Sequence, residues 1–375
     1  MNFDFSDDQK MLKDQARKFL TEKCPTKVVR KILESDEPYD KALWKQIGEM
    51  GWLGTAIPEE YGGLGLGHLE LCVIAEELGR AAAPVPFSSS VYLATEALLV
   101  AGSDAQKKKY LPKLASGEWI GTFAIAEGAQ PPSPKTIKAT FKAGKLDGTK
   151  TPVPDGDVAD FAVVLAKSAD GQGERTLSLA IVDLKGAGTS RRAVKTIDPS
   201  RSQAELSFKG AAAEALGPAG DGWDLAKRVL DRAAVLMAFE QVGGADACLV
   251  MAKDYALNRY AFGRTIASFQ AIKHKLADMY VLNELARSNA YFGAWALSTN
   301  AADLAEAAAG ARISATDAFH NAAKENIQTH GGMGFTWELD CHLYYRRSKV
   351  LSLALGASRV WKDRLVNHLE KKNVA

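Results

Sequence analysis

The last third of the chain sets the tightest limit on what it can fold into. Residues 223–260, 268–300 and about 301–328 form three long stretches of helical period dominated by alanine and leucine. Helices of this length and composition are those of a helix bundle. A different pattern comes before them. The runs at 123–126, 161–165, 177–182 and 204–208 are short, apolar or alternating, and are separated by Gly, Pro and Asp, which predicts strands. From Ser6 onward Met11, Leu12, Ala16, Phe19 and Leu20 again follow a helical period, and Asp7 and Asp8 suit the positive end of a helix. Similar runs continue to about Ser116. They are interrupted by the glycine loop at 62–67 and by Pro84 and Pro86, which end a helix after Arg80. The expected fold class is α+β and multidomain: a helical domain over 1–118, a β-barrel or sandwich over 119–217, and a four-helix bundle over 218–375.

Composition excludes several classes of function. With 375 residues, 47% hydrophobic and 25% charged, the chain exceeds one small core. A formal net charge of +2 gives no large single-sign field, so neither nucleic acid nor a membrane surface is an expected partner. Cys24, Cys72, Cys248 and Cys341 lack the spacing of a zinc site, and their scatter fits a reducing, cytoplasmic setting. The start at Met1 is acidic where a signal peptide would be basic, and no apolar run is expected to span a membrane. No repeat of 20 to 50 residues is visible, and the one biased segment, 130–134, reads as a loop.

Two motifs carry chemistry. Arg259, Phe262, Gly263 and Gln270 fall within one short stretch, and Gln328, Gly331, Gly332, Gly334 and Phe335 fall within another. A fixed cation, carboxamides and glycines that bare backbone N–H groups are what a pyrophosphate-bearing cofactor needs. Metal-ligand spacing is absent around His274, His320 and His330, so no metal site is expected. His330, next to Gly331, stands within reach of a phosphate. Walker, GxSxG and strand-to-helix GxGxxG patterns are also missing.

These stretches resemble the acyl-CoA dehydrogenase family, flavoproteins that desaturate coenzyme A thioesters. Residues 57–65, Ile-Pro-Glu-Glu-Tyr-Gly-Gly-Leu-Gly, are similar to the family's N-terminal signature, and 217–223 to the start of its third domain. The resemblance implies FAD, with the ring between the β and helical domains and the pyrophosphate and adenine reaching a neighbouring subunit. It assigns Arg259 to the pyrophosphate, Phe262 to packing near the cofactor, Gln270 to the adenine side, and Gln328, Gly331 and Gly332 to the rest of that half. It further implies an acyl-CoA substrate, an electron-transfer flavoprotein or similar acceptor, a homo- or heterotetramer, and a place in fatty acid or steroid degradation.

The β region departs from the family pattern. Members that hold flavin typically read Thr-Glu-Pro after a strand and Trp-Ile-Thr-Asn after a Lys. This chain has Ala126, Glu127 and Gly128 at the first place and Pro152, Val153, Pro154 and Asp155 at the second. Ala126 lacks a hydroxyl, and Pro154 lacks both a hydroxyl and a backbone N–H. Either this subunit holds the ring through other groups, or the ring sits elsewhere in the oligomer, or the segment is a surface loop that has drifted.

The base is missing as well. Desaturation removes an α-proton while hydride leaves the β-carbon for the flavin, so a carboxylate must stand beside the α-carbon. The family places it 27 residues beyond the glutamine of the glycine motif, here Leu355, or 26 residues before the motif arginine, here Ala233. Neither can take a proton. Asp231, about 200° around the helix from Ala233, matches by offset the family's contact to the coenzyme A arm. Glu240, ~10 Å farther along the helix, is the remaining internal candidate for the base. Three readings follow: a dehydrogenase subunit in a tetramer, a flavin-dependent elimination such as a desulfinase reaction, or a noncatalytic partner subunit.

Overall fold

The computed structural model describes residues 6–169 and 173–374. The first five residues, read above for their charge, lie outside them. Among the described residues six α-helices come first: α1 (Asp7–Lys23), α2 (Thr26–Leu33), α3 (Lys41–Glu49), α4 (His68–Arg80), α5 (Glu96–Ala101) and α6 (Asp104–Ala115). Ser6 starts α1 with a capping box: its Oγ accepts from the Gln9 N–H at 3.2 Å, and Gln9 Oε1 accepts from the Ser6 N–H at 2.9 Å. Asp7 and Asp8 occupy the first turn, where the helix dipole favours them.

Seven strands follow: β1 (Gly121–Ala124), β2 (Thr140–Lys142), β3 (Lys145–Pro154), β4 (Phe161–Lys167), β5 (Leu177–Asp183), β6 (Thr189–Ala193) and β7 (Gln203–Leu216). The pairings β4–β2, β2–β3, β3–β7, β7–β5 and β5–β4 return to their starting strand, so the sheet closes as a barrel. Strand β1 adds to it beside β4 and β6 beside β7. Leu146, Val153, Leu165, Leu179 and Leu206 are all fully buried. Strands β2, β3 and β6 escape the sequence pattern, because β3 carries Gly148, Pro152 and Pro154 and β6 is largely exposed. Residues 152–154 are thus strand, not surface loop. Register shifts after Leu146 and after Lys150 absorb the glycine and the prolines, and Val153 is fully buried.

The remaining elements are α7 (Gly222–Asn258), β8 (Tyr260–Ala261), β9 (Arg264–Thr265), α8 (Gln270–Ser298), α9 (Leu304–His330), α10 (Cys341–Ala354) and α11 (Ser358–Val374). By length and apolarity α7 could cross a membrane, which corrects the expectation above. Its most apolar stretch is 78% buried within the protein, as in a core helix.

The chain divides into two compact units. A helical unit comprises Met1–Lys31, His68–Ala83 and Ala234–Ala375, and a barrel unit comprises Ile32–Gly67 and Pro84–Ala233. In the helical unit α9 packs against α8, α10 and α11. Backbones of α4 and α7 approach so closely that a Cβ on Gly79 would lie 1.8 Å from the Glu240 carbonyl oxygen, and one on Gly243 1.8 Å from that of Glu76. Only glycine permits this crossing.

Candidate functional site

In the helical unit α7 ends one residue before Arg259, whose backbone N–H donates to the Tyr255 carbonyl at 2.8 Å. Strands β8 and β9 then form a hairpin with Phe262 and Gly263 at its tip, both at positive φ, 52° and 77°. A two-residue loop that matches strand twist requires this at both positions. Glycine adopts it freely, whereas a phenylalanine there is strained. The Phe262 side chain is 96% exposed, with its ring set edgewise to Phe269 at 6.3 Å. Arg264 covers Phe269 at 4.0 Å, so the hairpin presents a buttressed aromatic tip. Gln270 opens α8 directly behind it.

The second motif ends α9. Gly331 breaks the helix at φ 62° and ψ −140°, and its N–H donates to the Gln328 carbonyl. Each glycine in the turn has a different reason to be glycine. Gly331 needs its positive φ, and a Cβ on Gly334 would lie 2.4 Å from the Ile327 carbonyl oxygen. Gly332 has an ordinary φ, and a Cβ there would meet nothing within 4 Å. Among the described residues no neighbour requires that bare backbone, so the turn fits a ligand from outside the chain.

Tyr255 joins the two motifs. Its ring stacks on His330 at 4.1 Å, and its hydroxyl reaches Met333 Sδ at 3.9 Å. Arg259, Gln270 and Gln328 are exposed, and among the described residues their side chains make no hydrogen bond or ion pair. Their donors and acceptors remain free for a cofactor or a neighbouring subunit. Sequence reasoning missed Tyr255, and gave no role to Arg264 and Phe269, which lie inside the first motif. The spacing of Tyr255, four residues before Arg259 and so one helical turn back, was the available signal.

The barrel unit presents the opposite case. The Thr151 N–H donates to the Ala126 carbonyl at 2.9 Å, and the Gly128 N–H returns to the Thr151 carbonyl at 2.7 Å. Lys150, fully buried, donates to Glu127 Oε1 at 2.7 Å and to the Ile125 carbonyl at 3.3 Å. Burial pushes this ammonium down to about 8 against the pull of Glu127. Glu127 also accepts the backbone N–H groups of Lys138 and Ala139 at 2.7 and 3.1 Å. Pro154 has no N–H to give, and its carbonyl is taken by Thr122 Oγ1 at 2.5 Å. Asp155, at φ 50° and buried, accepts from Ser89 and Ser202 at 2.6 and 3.1 Å. Burial raises its carboxyl against the opposing charge of Arg201. The polar groups at Pro154 and Asp155 are therefore engaged inside the barrel unit. The expected ring contacts do not fit here.

Both usual base positions hold inert, buried side chains, Ala233 and Leu355. The Leu355 carbonyl accepts from the buried Trp361 indole at 3.1 Å, which fixes the end of α10. Arg312 donates to the Leu351 carbonyl just before that end, a favourable place for a cation. Glu240 is 1% exposed and lies 4.0 Å from Arg347, itself bonded to the carbonyls of Ala82 and Ala83. Burial pushes Arg312 down to about 10, and the charge of Glu240 opposes that shift. Glu240 thus serves as counter-charge to two buried guanidinium groups. Asp231, the candidate substrate contact, is 7% exposed.

Known proteins resemble this chain over nearly its whole length. Residues 6–118 match the model of the acyl-CoA dehydrogenase N-terminal domain, and residues 220–369 that of the C-terminal domain. The acyl-CoA dehydrogenase IpdE2 of Mycobacterium tuberculosis is 33% identical over 344 residues, 91% of each chain. Among solved structures, a glutaryl-coenzyme A dehydrogenase in complex with glutaryl-CoA superposes with a TM-score of 0.93 at 28% identity, over 100% of this chain and 98% of that one. The ChsE4-ChsE5 complex of Mycobacterium tuberculosis gives 0.89 at 28% identity, over 99% of both chains.

Proposed function

Because the chain belongs to the acyl-CoA dehydrogenase family, whose members are FAD-dependent oxidoreductases, we propose that it is one subunit type of a tetramer that desaturates an acyl-CoA thioester between the α- and β-carbons. The observation that carries this reading is the split between the two units. The helical unit keeps the dinucleotide-binding set of Arg259, Phe262, Gln270, Gln328, Gly331 and Gly332, with the side chains of Arg259, Gln270 and Gln328 unbonded among the described residues. The barrel unit has Ala126 and Pro154 where ring contacts are expected, and no carboxylate stands at position 233 or 355.

When bound, FAD supplies the acceptor for the hydride that leaves the β-carbon. This chain's part is to hold the adenosine and diphosphate half. Arg259 provides charge-assisted hydrogen bonds to the diphosphate, the bare backbone at Gly331 and Gly332 admits close approach, and Gln270 and Gln328 orient the adenosine. A paralogous subunit supplies the base and the ring contacts. The likeness to the two-component ChsE4-ChsE5 complex supports a heteromer. Four buried cysteines, none of them in a disulfide, fit a reducing cytoplasm.

Purification of the chain alone and with its paralogue, followed by flavin counting and turnover of acyl-CoA with an electron acceptor, tests the proposal. Flavin and acceptor reduction are expected only with the paralogue. Tight flavin and turnover in the chain alone would overturn the dependence on a partner, and product formed without acceptor reduction would favour elimination.

A further inference from the structure

We infer that the outward face of α8 pairs with the same helix of a second copy of this chain, antiparallel and about a two-fold axis. This pairing does not rest on the flavin reading above. Helix α8 buries Met279, Asn283, Ala286, Ala290 and Gly293. Its opposite side is exposed along a regular line formed by His274, Asp278, Val281, Leu285, Ser288 and Phe292. Steps of four and three residues alternate along that line, as at the a and d positions of a heptad, and they keep one stripe on the helix for ~27 Å. At its centre Val281 and Leu285 are 53% and 55% exposed, and Leu282 beside them is exposed as well. A contiguous apolar stripe in water gains free energy when another surface covers it.

The order of residues in the stripe identifies the occupant. When Val281 faces Leu285 of a second copy, the antiparallel run brings Asp278 opposite Ser288 and His274 opposite Phe292, and the axis repeats each pair. Every layer then matches. Apolar side chains meet at the axis, a hydroxyl donor meets a carboxylate acceptor on either side, and an imidazole meets a phenyl ring at each end. The Ser288 hydroxyl, which donates to the Glu284 carbonyl at 2.9 Å, can swing to that carboxylate. Leu282 flanks the axis and meets its own counterpart. Glu284 approaches its counterpart on the other flank, where Arg287 at 3.4 Å offsets the like charges. A parallel pair in register would instead set Asp278 against Asp278, with no cation in the stripe to balance them. An isologous contact needs a surface complementary to itself, and the antiparallel stripe meets that condition at all six positions.

Cysteine crosslinking tests the pairing. Leu282→Cys places a thiol beside its own counterpart across the axis, whereas Tyr280→Cys places an exposed thiol on the same helix away from the stripe; the native cysteines are all buried. Each variant is oxidised with copper phenanthroline, both as the chain alone and in its assembly with the paralogue, and the products are identified by mass on non-reducing gels. Leu282→Cys is expected to give a dimer of this chain with itself in both preparations, and Tyr280→Cys to give little. Leu285→Asp sets carboxylates against the apolar centre, so self-association measured by sedimentation should weaken by at least about tenfold. The site is exposed, so thermal unfolding should change little. Crosslinking of Leu282→Cys to the paralogue in place of a second copy, equal self-crosslinking by Tyr280→Cys, or self-association unchanged by Leu285→Asp would each overturn the pairing. Flavin uptake enters none of these readouts, so a failure of the cofactor reading is seen separately, as an assembly that takes up no flavin yet still crosslinks through Leu282→Cys.

Discussion

The turn at Gly331 and Gly332 and the end of β3 at Pro154 and Asp155 are both unusual in sequence, but they differ in what their polar groups do. At the turn, backbone is bared toward open space, and the side chains of Arg259, Gln270 and Gln328 are unengaged among the described residues. At the strand end, Thr122 takes the Pro154 carbonyl, and Ser89 and Ser202 take the Asp155 carboxylate. A buried polar group without a partner costs free energy, so evolution closes such groups internally unless something external completes them. The open turn is built for a ligand, and the closed strand end is built for the barrel. Substitution at engaged groups should therefore cost stability, and substitution at free groups should cost binding.

The largest effect is expected at Glu240. Glu240→Leu leaves Arg347 and Arg312 without their counter-charge and should destabilise the fold by about 3–5 kcal/mol in urea unfolding, with or without substrate. A stable variant that had lost only turnover would restore Glu240 as the base.

Lys150 tests the engaged side through pH. Its folded value is depressed from 10.5 to about 8, so between those values the unfolded chain binds more protons and stability rises with pH. The gain should reach up to about 3 kcal/mol, and Lys150→Met should flatten it. A melting temperature of the wild type that falls steadily over this window would contradict the assignment.

At the free groups the effects should be smaller and confined to the ligand. Arg259→Ala and Gly332→Ala are expected to weaken FAD binding by about 2 kcal/mol while unfolding stays within about 0.5 kcal/mol of wild type. Loss of stability without loss of flavin would reverse the comparison.

Asn283 is the exception that sharpens it. Fully buried on α8, it has both amide atoms unpartnered among the described residues. With no access for a ligand, the amide is a cost to the fold, and Asn283→Leu should gain about 1 kcal/mol in thermal unfolding. A marked loss there would mean that an internal water completes it.

Much of this was legible in the chain. The long helices announced themselves because a helix makes its hydrogen bonds locally, and the boundaries near Arg80, Gln270 and Gln328 follow from Pro, Gly and periodicity. Strands β4, β5 and β7 were readable from apolar runs. Strand β3 was not, because its lysines and prolines are held by pairing with distant β7. The two flavin motifs were readable because each is contiguous, and their connection through Tyr255 and His330 was not.

The sequence by itself determined which side chains could bind or take a proton: it supplied the arginine, the carboxamides and the bare glycines, and it removed the carboxylate from positions 355 and 233. Tertiary structure alone decided which of those groups are available. Whether Glu240 can act as a base depends on Arg312 and Arg347, and how the His330 ring is held depends on the Asn326 carbonyl and Tyr255. Identity is a property of the residue, whereas hydrogen-bond satisfaction and charge balance belong to the neighbours that folding brings to it.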